Sequence, residues 1–276
     1  MGYWDVDYSQ LDFIKKMRGD DVDVVSTKEE VKELTADYTD EEILDYIIVF
    51  ICQRLKSVKS AFKGGYTLMK ILPEVARLSH DIDFSISDVE QYELVKSVLD
   101  ELGTALISLN IISNYEIKQT ITETSSGGIK LRRDRKVDLG IDIGLHNLSY
   151  GIQSWNIFGQ EVERFIIERM LADKISAIFS RKRFRRSKDL YDLYILTESC
   201  DINIDVLREC LNERSIDWNA TPFDSIVQVE YAKAYNQLSV KNHLGTALPL
   251  PEFSDCMLSL HDILVKLGVN YDTTRY

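Results

Sequence analysis

Between Ala61 and Ile86 the sequence changes character four times, and that order restricts what the chain can fold into. Ala61-Phe62-Lys63 has the composition of a short strand, Gly64-Gly65 breaks it, and Tyr66 to Leu72 reads as a helix that Pro73 stops. Asp81 to Ile86 then alternates, with Asp81, Asp83 and Ser85 on one face and Ile82, Phe84 and Ile86 on the other. That is the period-two pattern of a half-buried strand, and its apolar positions make it internal. Alternate residues of a strand point the same way, so Asp81 and Asp83 present two carboxylates side by side. Such a face repels itself unless a cation or a basic neighbour sits against it. Hard divalent cations such as Mg²⁺ take oxygen ligands and are shared between carboxylates and substrate phosphates. Asp81 and Asp83 therefore read as a metal-binding pair. Gly64-Gly65 ahead of a helix N-terminus suits a phosphate cradle, although a tight turn needs the same two residues.

A third carboxylate completes a site of this kind. Asp138 and Asp142, in Asp138-Leu139-Gly140-Ile141-Asp142-Ile143, share one face of another predicted strand. Asp142 is the first choice and Asp138 the alternative. His80, next to the acid pair, is placed to touch a substrate.

The remaining chain supplies the frame. A first helix begins at Ser26 or Thr27, where Ser26 and Glu29 have capping-box spacing. A second runs from Thr39 to about Val58, with acids in its first turn and apolar residues at three- and four-residue spacing along one face. Asp88 to Leu102 reads as a helix ended by Gly103. Predicted strands follow at 105–112, 115–122, 129–132, 136–143 and 153–158, with a turn at Ser125-Ser126-Gly127-Gly128. Helices are expected at about 162–182, 188–199, 203–213, 222–238 and 254–267. This gives an N-terminal helical segment (1–58), an α/β core (59–160) and a helical C-terminal part (161–276).

In the first of these late helices Lys174 falls among Ile167, Leu171, Ala177 and Ile178. A lysine so placed snorkels to solvent, the reading periodicity favours, or meets a carboxylate or phosphate. Ser187 is a candidate N-cap for the next helix, in which Asp189 edges the apolar side and Asp192 lies on another flank. Between the two helices Arg181, Lys182, Arg183, Arg185 and Arg186 form a basic run around Phe184. It is either a solvated loop or a contact for nucleic-acid backbone, with Phe184 as a stacking face.

Net charge is −12, which argues against binding polyanions over the whole surface but not through one loop. Cys52, Cys200, Cys210 and Cys256 are scattered, without CxxC pairs or histidines at ligand spacing, so a zinc site and a disulfide framework are not expected. They read as small buried hydrophobes in a reducing cytoplasm. The N-terminus has no secretory signal pattern, and the apolar run Ile47–Cys52 is far short of the ~20 residues of a membrane span.

The motifs Lys63-Gly64-Gly65, Arg77-x-Ser79-x-Asp81-x-Asp83-Phe84, Ala172-x-Lys174 and Arg186-Ser187-Lys188-Asp189-Leu190-Tyr191-Asp192-Leu193 occur in that order. Together they resemble the AbiEii/AbiGii toxin family of DNA polymerase β-like nucleotidyltransferases. The resemblance implies an α+β fold: a nucleotidyltransferase core with a mixed sheet bearing the acid pair, N-terminal helices and a helical C-terminal part. It implies a nucleoside triphosphate substrate and Mg²⁺. Asp81 and Asp83 match the family's metal-binding pair and Gly64 and Gly65 its phosphate-binding turn, with Lys63 and Ser79 in the same motifs. Lys174 matches a lysine that meets the triphosphate, and Asp189 an acid of the active centre. Related MenT toxins add nucleotides to the tRNA acceptor end, and other members act in phage defence beside a cognate antitoxin. By this resemblance the chain is a toxin that modifies tRNA or another RNA. Nucleotidyl transfer to a protein or small molecule, and a nucleotide-binding module without turnover, are the alternatives. Two positions depart from the family pattern. Tyr66 replaces a small residue, where so large a ring either crowds the cradle or stacks on a base, and His80 replaces an acid.

Overall fold

A computed structural model of the chain describes residues 39–134, 136–180, 186–214, 216, 218, 225–240 and 250–269. The expected helix at Ser26 lies outside the described residues. These divide into two compact units: residues up to Tyr66 with His80–Arg164, and Thr67–Ser79 with Phe165 onward.

The first unit holds a mixed sheet. Its strands are β1 (Ser60–Lys63), β2 (Asp81–Ile86), β3 (Asn114–Lys118), β4 (Gly127–Arg132), β5 (Leu139–Leu145), β6 (Ile152–Ile157) and β7 (Gln160–Phe165), in the spatial order β3-β4-β5-β2-β1-β7-β6. β2 pairs antiparallel with β1 and parallel with β5, so it is internal and matches its predicted span. β3, β4 and β5 form an antiparallel meander, and β1 pairs parallel with β7.

Helix α1 (Asp40–Arg54) starts on a capping box: Thr39 Oγ1 accepts from the Glu42 amide at 3.2 Å, and Glu42 Oε2 accepts from the Thr39 amide at 2.7 Å. Every residue from Ile43 to Cys52 is buried, not one face alone as expected. A helix apolar all round has no face to give to water, and each buried Ile, Leu or Phe adds roughly 1.5–3 kcal/mol. Asp45 is the exception in this run. It is 1 % exposed and accepts a short hydrogen bond from the Tyr66 hydroxyl.

Helix α3 (Tyr92–Ser108), preceded by a 3₁₀ turn at Val89–Gln91, overturns two expectations. It runs through Gly103, where a Cβ would stand 2.6 Å from the Tyr115 ring; the glycine gives room to that ring and does not end the helix. The predicted strand at 105–112 is instead the last turn of the helix and its exit. Val95, Leu99, Leu102 and Leu106 continue the three- and four-residue spacing into the core, and this outweighs the β-branched composition nearby. The stop is Asn110, whose φ of 54° is left-handed, with the Ile111 amide bonding the Leu106 carbonyl at 3.0 Å.

The other strand bounds shift by a few residues, and Gly127-Gly128 belongs to β4 while the turn lies at Thr122–Ser125. The residues expected to open a helix at 162 are strand β7. It follows β6 through Phe158-Gly159, whose φ angles of 51° and 71° fit a two-residue hairpin turn.

Helix α2 (Gly64–Ile71) begins at the glycines themselves. After Phe165 the described regular elements are all helices: α4 (Ile167–Ile178), α5 (Ser187–Ser199), α6 (Ile204–Asn212), α7 (Ser225–Val240) and α8 (Phe253–Lys266). The four cysteines are free thiols, and Cys52, Cys210 and Cys256 are buried. Among the described residues no helix is long and apolar enough to cross a membrane.

Candidate active site

The acid pair is built by the strand register. Asp81 is exposed and Asp83 half-buried on β2, ahead of the buried Phe84, Ser85 and Ile86. Lys63, the last residue of β1, is the antiparallel partner of Asp83. The chain then turns into α2 at Gly64, with φ at 77°, and a Cβ there would overlap the Asp83 carboxylate. Glycine is thus demanded twice, by the left-handed backbone and by the carboxylate against it. Gly65 is buried behind it. On the other side of β2, Asp83 is the parallel partner of Asp142 and Asp81 of Gly140.

The two candidates for a third acid part company here. Asp142 lies within β5, beside Asp83, and accepts from Lys118 Nζ at 2.7 Å and from Ser126 Oγ at 3.4 Å. Asp138 precedes the strand and is bound by Arg132 at 3.0 Å and Lys130 at 3.3 Å. Slight desolvation works against its charge, but bonds from the Arg133 amide, Lys130 and Arg132 hold its pKa below the usual carboxylate value.

Carboxylates on two adjacent strands, with a glycine turn against one of them, offer the hard oxygen donors that suit Mg²⁺. Among the described residues no group of three or more His, Cys, Asp or Glu side chains is gathered closely enough to hold a metal. The expected set of Asp81, Asp83 and Asp142 is therefore not drawn together into a three-acid cluster.

Tyr66 neither crowds the cradle nor offers a face to a base. It is fully buried, and its hydroxyl points at Asp45. His80 turns its Nδ1 toward Asp40 Oδ2 at 3.3 Å. Asp40 also accepts from Arg133 Nη1 at 2.8 Å, and this bond, with the nearby positive charges, holds its pKa below normal against the effect of burial. Farther along β2, Ser85 Oγ and His146 Nδ1 lie 3.0 Å apart.

The helical unit carries the other motif residues. Lys174 on α4 does not snorkel: it is 8 % exposed, and its ammonium lies 3.0 Å from Asp189 Oδ1 and 2.7 Å from Asp192 Oδ2 on α5. Asp192, completely buried, also faces Arg77, with Nε 2.9 Å from Oδ1 and Nη2 donating to Oδ2 at 3.0 Å. Arg186 Nε closes the chain at 2.9 Å from Asp189 Oδ2. Burial works against the charge of Lys174, but Asp192 and Asp189 outweigh it and its pKa lies above the ordinary lysine value. Burial would raise Asp192, yet Arg77 and Lys174 hold it below the ordinary carboxylate value.

Sequence reasoning missed the centre of this network. Asp192 read as a residue of another flank, and Arg77 was given no role. A signal was present: Asp189 and Asp192 are three residues apart, so both can meet one cation on a neighbouring helix. Ser187 is the first residue of α5 and not its cap, and Arg186 holds the N-cap position without a side-chain bond. Ser79 is half-buried in the segment that belongs to the helical unit. Arg181, Lys182, Arg183 and Arg185 lie outside the described residues.

A family model described as Nucleotidyl transferase AbiEii toxin, Type IV TA system, matches residues 51–238, well over half of the chain and all of the motif residues above. The chain belongs to the AbiEii nucleotidyltransferase toxin family. Solved structures that share its fold include two nucleotidyltransferases. The MenT4 nucleotidyltransferase toxin of Mycobacterium tuberculosis superposes with a TM-score of 0.51 at 16 % identity, over 90 % of this chain and 91 % of that one. An H. pylori protein described as a nucleotidyltransferase gives 0.51 at 19 % identity, over 83 % and 95 %. No curated protein matches the sequence. As an AbiEii-family member the chain is a nucleotidyltransferase toxin with an α+β nucleotidyltransferase fold, of the kind found in type IV toxin–antitoxin systems.

Proposed function

We propose that this AbiEii-family enzyme transfers a nucleotide from a nucleoside triphosphate to the 3′ end of an RNA, tRNA being the preferred acceptor, in a Mg²⁺-dependent reaction. The observation that carries the reading is the line of carboxylates on adjacent strands, Asp83 beside Asp142 with Asp81 one step along, closed on one side by the Gly64 turn. Asp81, Asp83 and Asp142 are the residues to hold Mg²⁺, which when bound would neutralise phosphate charge and favour in-line displacement. Gly64, Gly65 and Lys63 receive phosphate oxygens at the start of α2. The acceptor hydroxyl forms its bond to the α-phosphorus as pyrophosphate leaves and the hydroxyl proton passes to solvent. Positioning and electrostatics supply the acceleration.

Lys174 is assigned to the triphosphate by the family motif. Its two carboxylate partners make it a fixed charge, and Asp189, held by Lys174 and Arg186, acts as a positioning residue in preference to a base. The burial of Tyr66, with its hydroxyl on Asp45, favours turnover over a nucleotide-binding module without it. We assign the protein to the cytoplasm, with a cognate antitoxin as partner in a toxin–antitoxin or phage-defence system.

The test is incubation of the full chain with each labelled NTP, Mg²⁺ and total cellular RNA. Label should enter tRNA-sized RNA and vanish in the Asp81→Ala, Asp83→Ala double variant. Equal labelling by that variant would remove the metal assignment. Label in protein instead of RNA would replace the acceptor.

A further inference from the structure

One line of side chains crosses the sheet. Lys118 on β3 is the partner of Gly128 on β4, Gly128 of Asp142 on β5, Asp142 of Asp83 on β2, and Asp83 of Lys63 on β1. Directly opposed residues share a face, so the line reads lysine, glycine, aspartate, aspartate, lysine. Gly128 puts no side chain between its neighbours, and Lys118 Nζ reaches over it to Asp142 Oδ1 at 2.7 Å and Ser126 Oγ at 3.0 Å. The Tyr92 phenol fixes both strands at this point, donating to the Lys118 carbonyl at 2.5 Å and accepting from the Gly128 amide at 2.8 Å. The fold therefore sets where this ammonium can go. Lys63 at the far end belongs to the glycine motif, whereas nothing in the sequence pattern singles out Lys118.

The pair does little for stability. Both side chains are 48 % exposed, and exposed ion pairs of this kind contribute ~0–1 kcal/mol. Its effect is to hold a compact, mobile point charge with three donors beside the candidate third acid. We propose that Lys118 is a substrate-binding residue of the transfer reaction. It exchanges its contact with Asp142 for the triphosphate of the incoming nucleotide, leaving Asp142 to the cation. This rests on the reading of Asp81, Asp83 and Asp142 as the metal-binding acids. It makes two opposed demands that a merely structural ion pair does not. Without nucleotide, Lys118 competes with metal at Asp142. With nucleotide, it adds to the binding of phosphate.

The experiment uses the full chain as wild type, Lys118→Met, Lys118→Arg, Asp142→Asn and the Asp81→Asn, Asp83→Asn double variant. Mn²⁺ alone is titrated by the loss of its free paramagnetic signal, and tripolyphosphate with Mg²⁺ by calorimetry, so that no base preference enters. Lys118→Met should bind Mn²⁺ about two- to fivefold more tightly and tripolyphosphate about tenfold more weakly, with the thermal midpoint unchanged. Lys118→Arg should retain most of the tripolyphosphate affinity. Unchanged tripolyphosphate binding in Lys118→Met overturns the proposal, as does a loss confined to RNA binding in a filter assay. The underlying reading fails separately: if the double variant and Asp142→Asn both bind Mn²⁺ like wild type, the acids are not the metal site, whatever Lys118 does.

Discussion

Asp83 and Asp142 face each other as partners in the parallel β2–β5 pair. Asp138, four residues earlier than Asp142, is instead tied to Arg132 and Lys130 at the end of the meander. The two candidates should therefore separate in activity. Asp142→Asn should lower nucleotidyl transfer by about a hundredfold or more, the scale on which loss of one preorganised charged group acts. Asp138→Asn should leave the rate within about threefold, because its carboxylate serves a surface ion pair. Single-turnover rates with saturating NTP check both, and a larger defect in Asp138→Asn would exchange the assignments.

Gly64 touches Asp83 where any side chain would stand. Gly64→Ala forces an L-residue to φ 77° and displaces the carboxylate. The left-handed backbone costs about 1–3 kcal/mol. The variant should show a lower thermal midpoint and a transfer rate down by at least about a hundredfold, since a small misplacement of a catalytic group has that effect. Wild-type turnover would mean that the acid beside this turn takes no part in the reaction.

Tyr66 serves α1 and not the substrate. Tyr66→Phe removes the hydroxyl that donates to buried Asp45, and weakening the hydrogen bonding of a buried acid costs about 1–3 kcal/mol. The midpoint of urea unfolding should fall accordingly, while KM for the NTP stays at its wild-type value. A changed KM with unchanged stability would return Tyr66 to the nucleotide.

The alternation of Asp81 to Ile86 identified β2 to the residue, because an internal strand must hide one set of side chains and the acids fell on the other. The motif order gave the family. What stayed hidden depended on long-range pairing. Tyr66 looked like an intruder in the cradle because nothing local says that Asp45, 21 residues earlier, accepts its hydroxyl. Asp192 looked peripheral because its partner Arg77 lies 115 residues away. Residues 105–112 looked like a strand because β-branched side chains are common there, whereas the burial of Leu102 and Leu106 that continues the helix is a tertiary fact. In each case the local signal was real and a distant contact outweighed it.

The network around Asp192 sets a pH window for the helical unit. The pKa of Asp192 is depressed below its ordinary 3.8, so its stabilisation is complete above that value and is lost as pH falls through the lower folded value. The pKa of Lys174 is raised above 10.5, so its contribution is complete below 10.5 and is lost only as pH rises past the higher folded value. Stability from this cluster should be flat across neutral pH and fall in acid below about pH 4. Arg77→Met removes the guanidinium beside Asp192 and leaves a buried carboxylate with Lys174 as its remaining cationic neighbour in the cluster. Breaking a buried pair in this way costs about 3–5 kcal/mol. The acid limb should also move upward in pH, because the folded-state pKa of Asp192 rises toward its unfolded value. Thermal midpoints of wild type and Arg77→Met from pH 3 to pH 9 test this. Parallel curves with no upward shift of the acid limb would show that Arg77 does not set the protonation of Asp192.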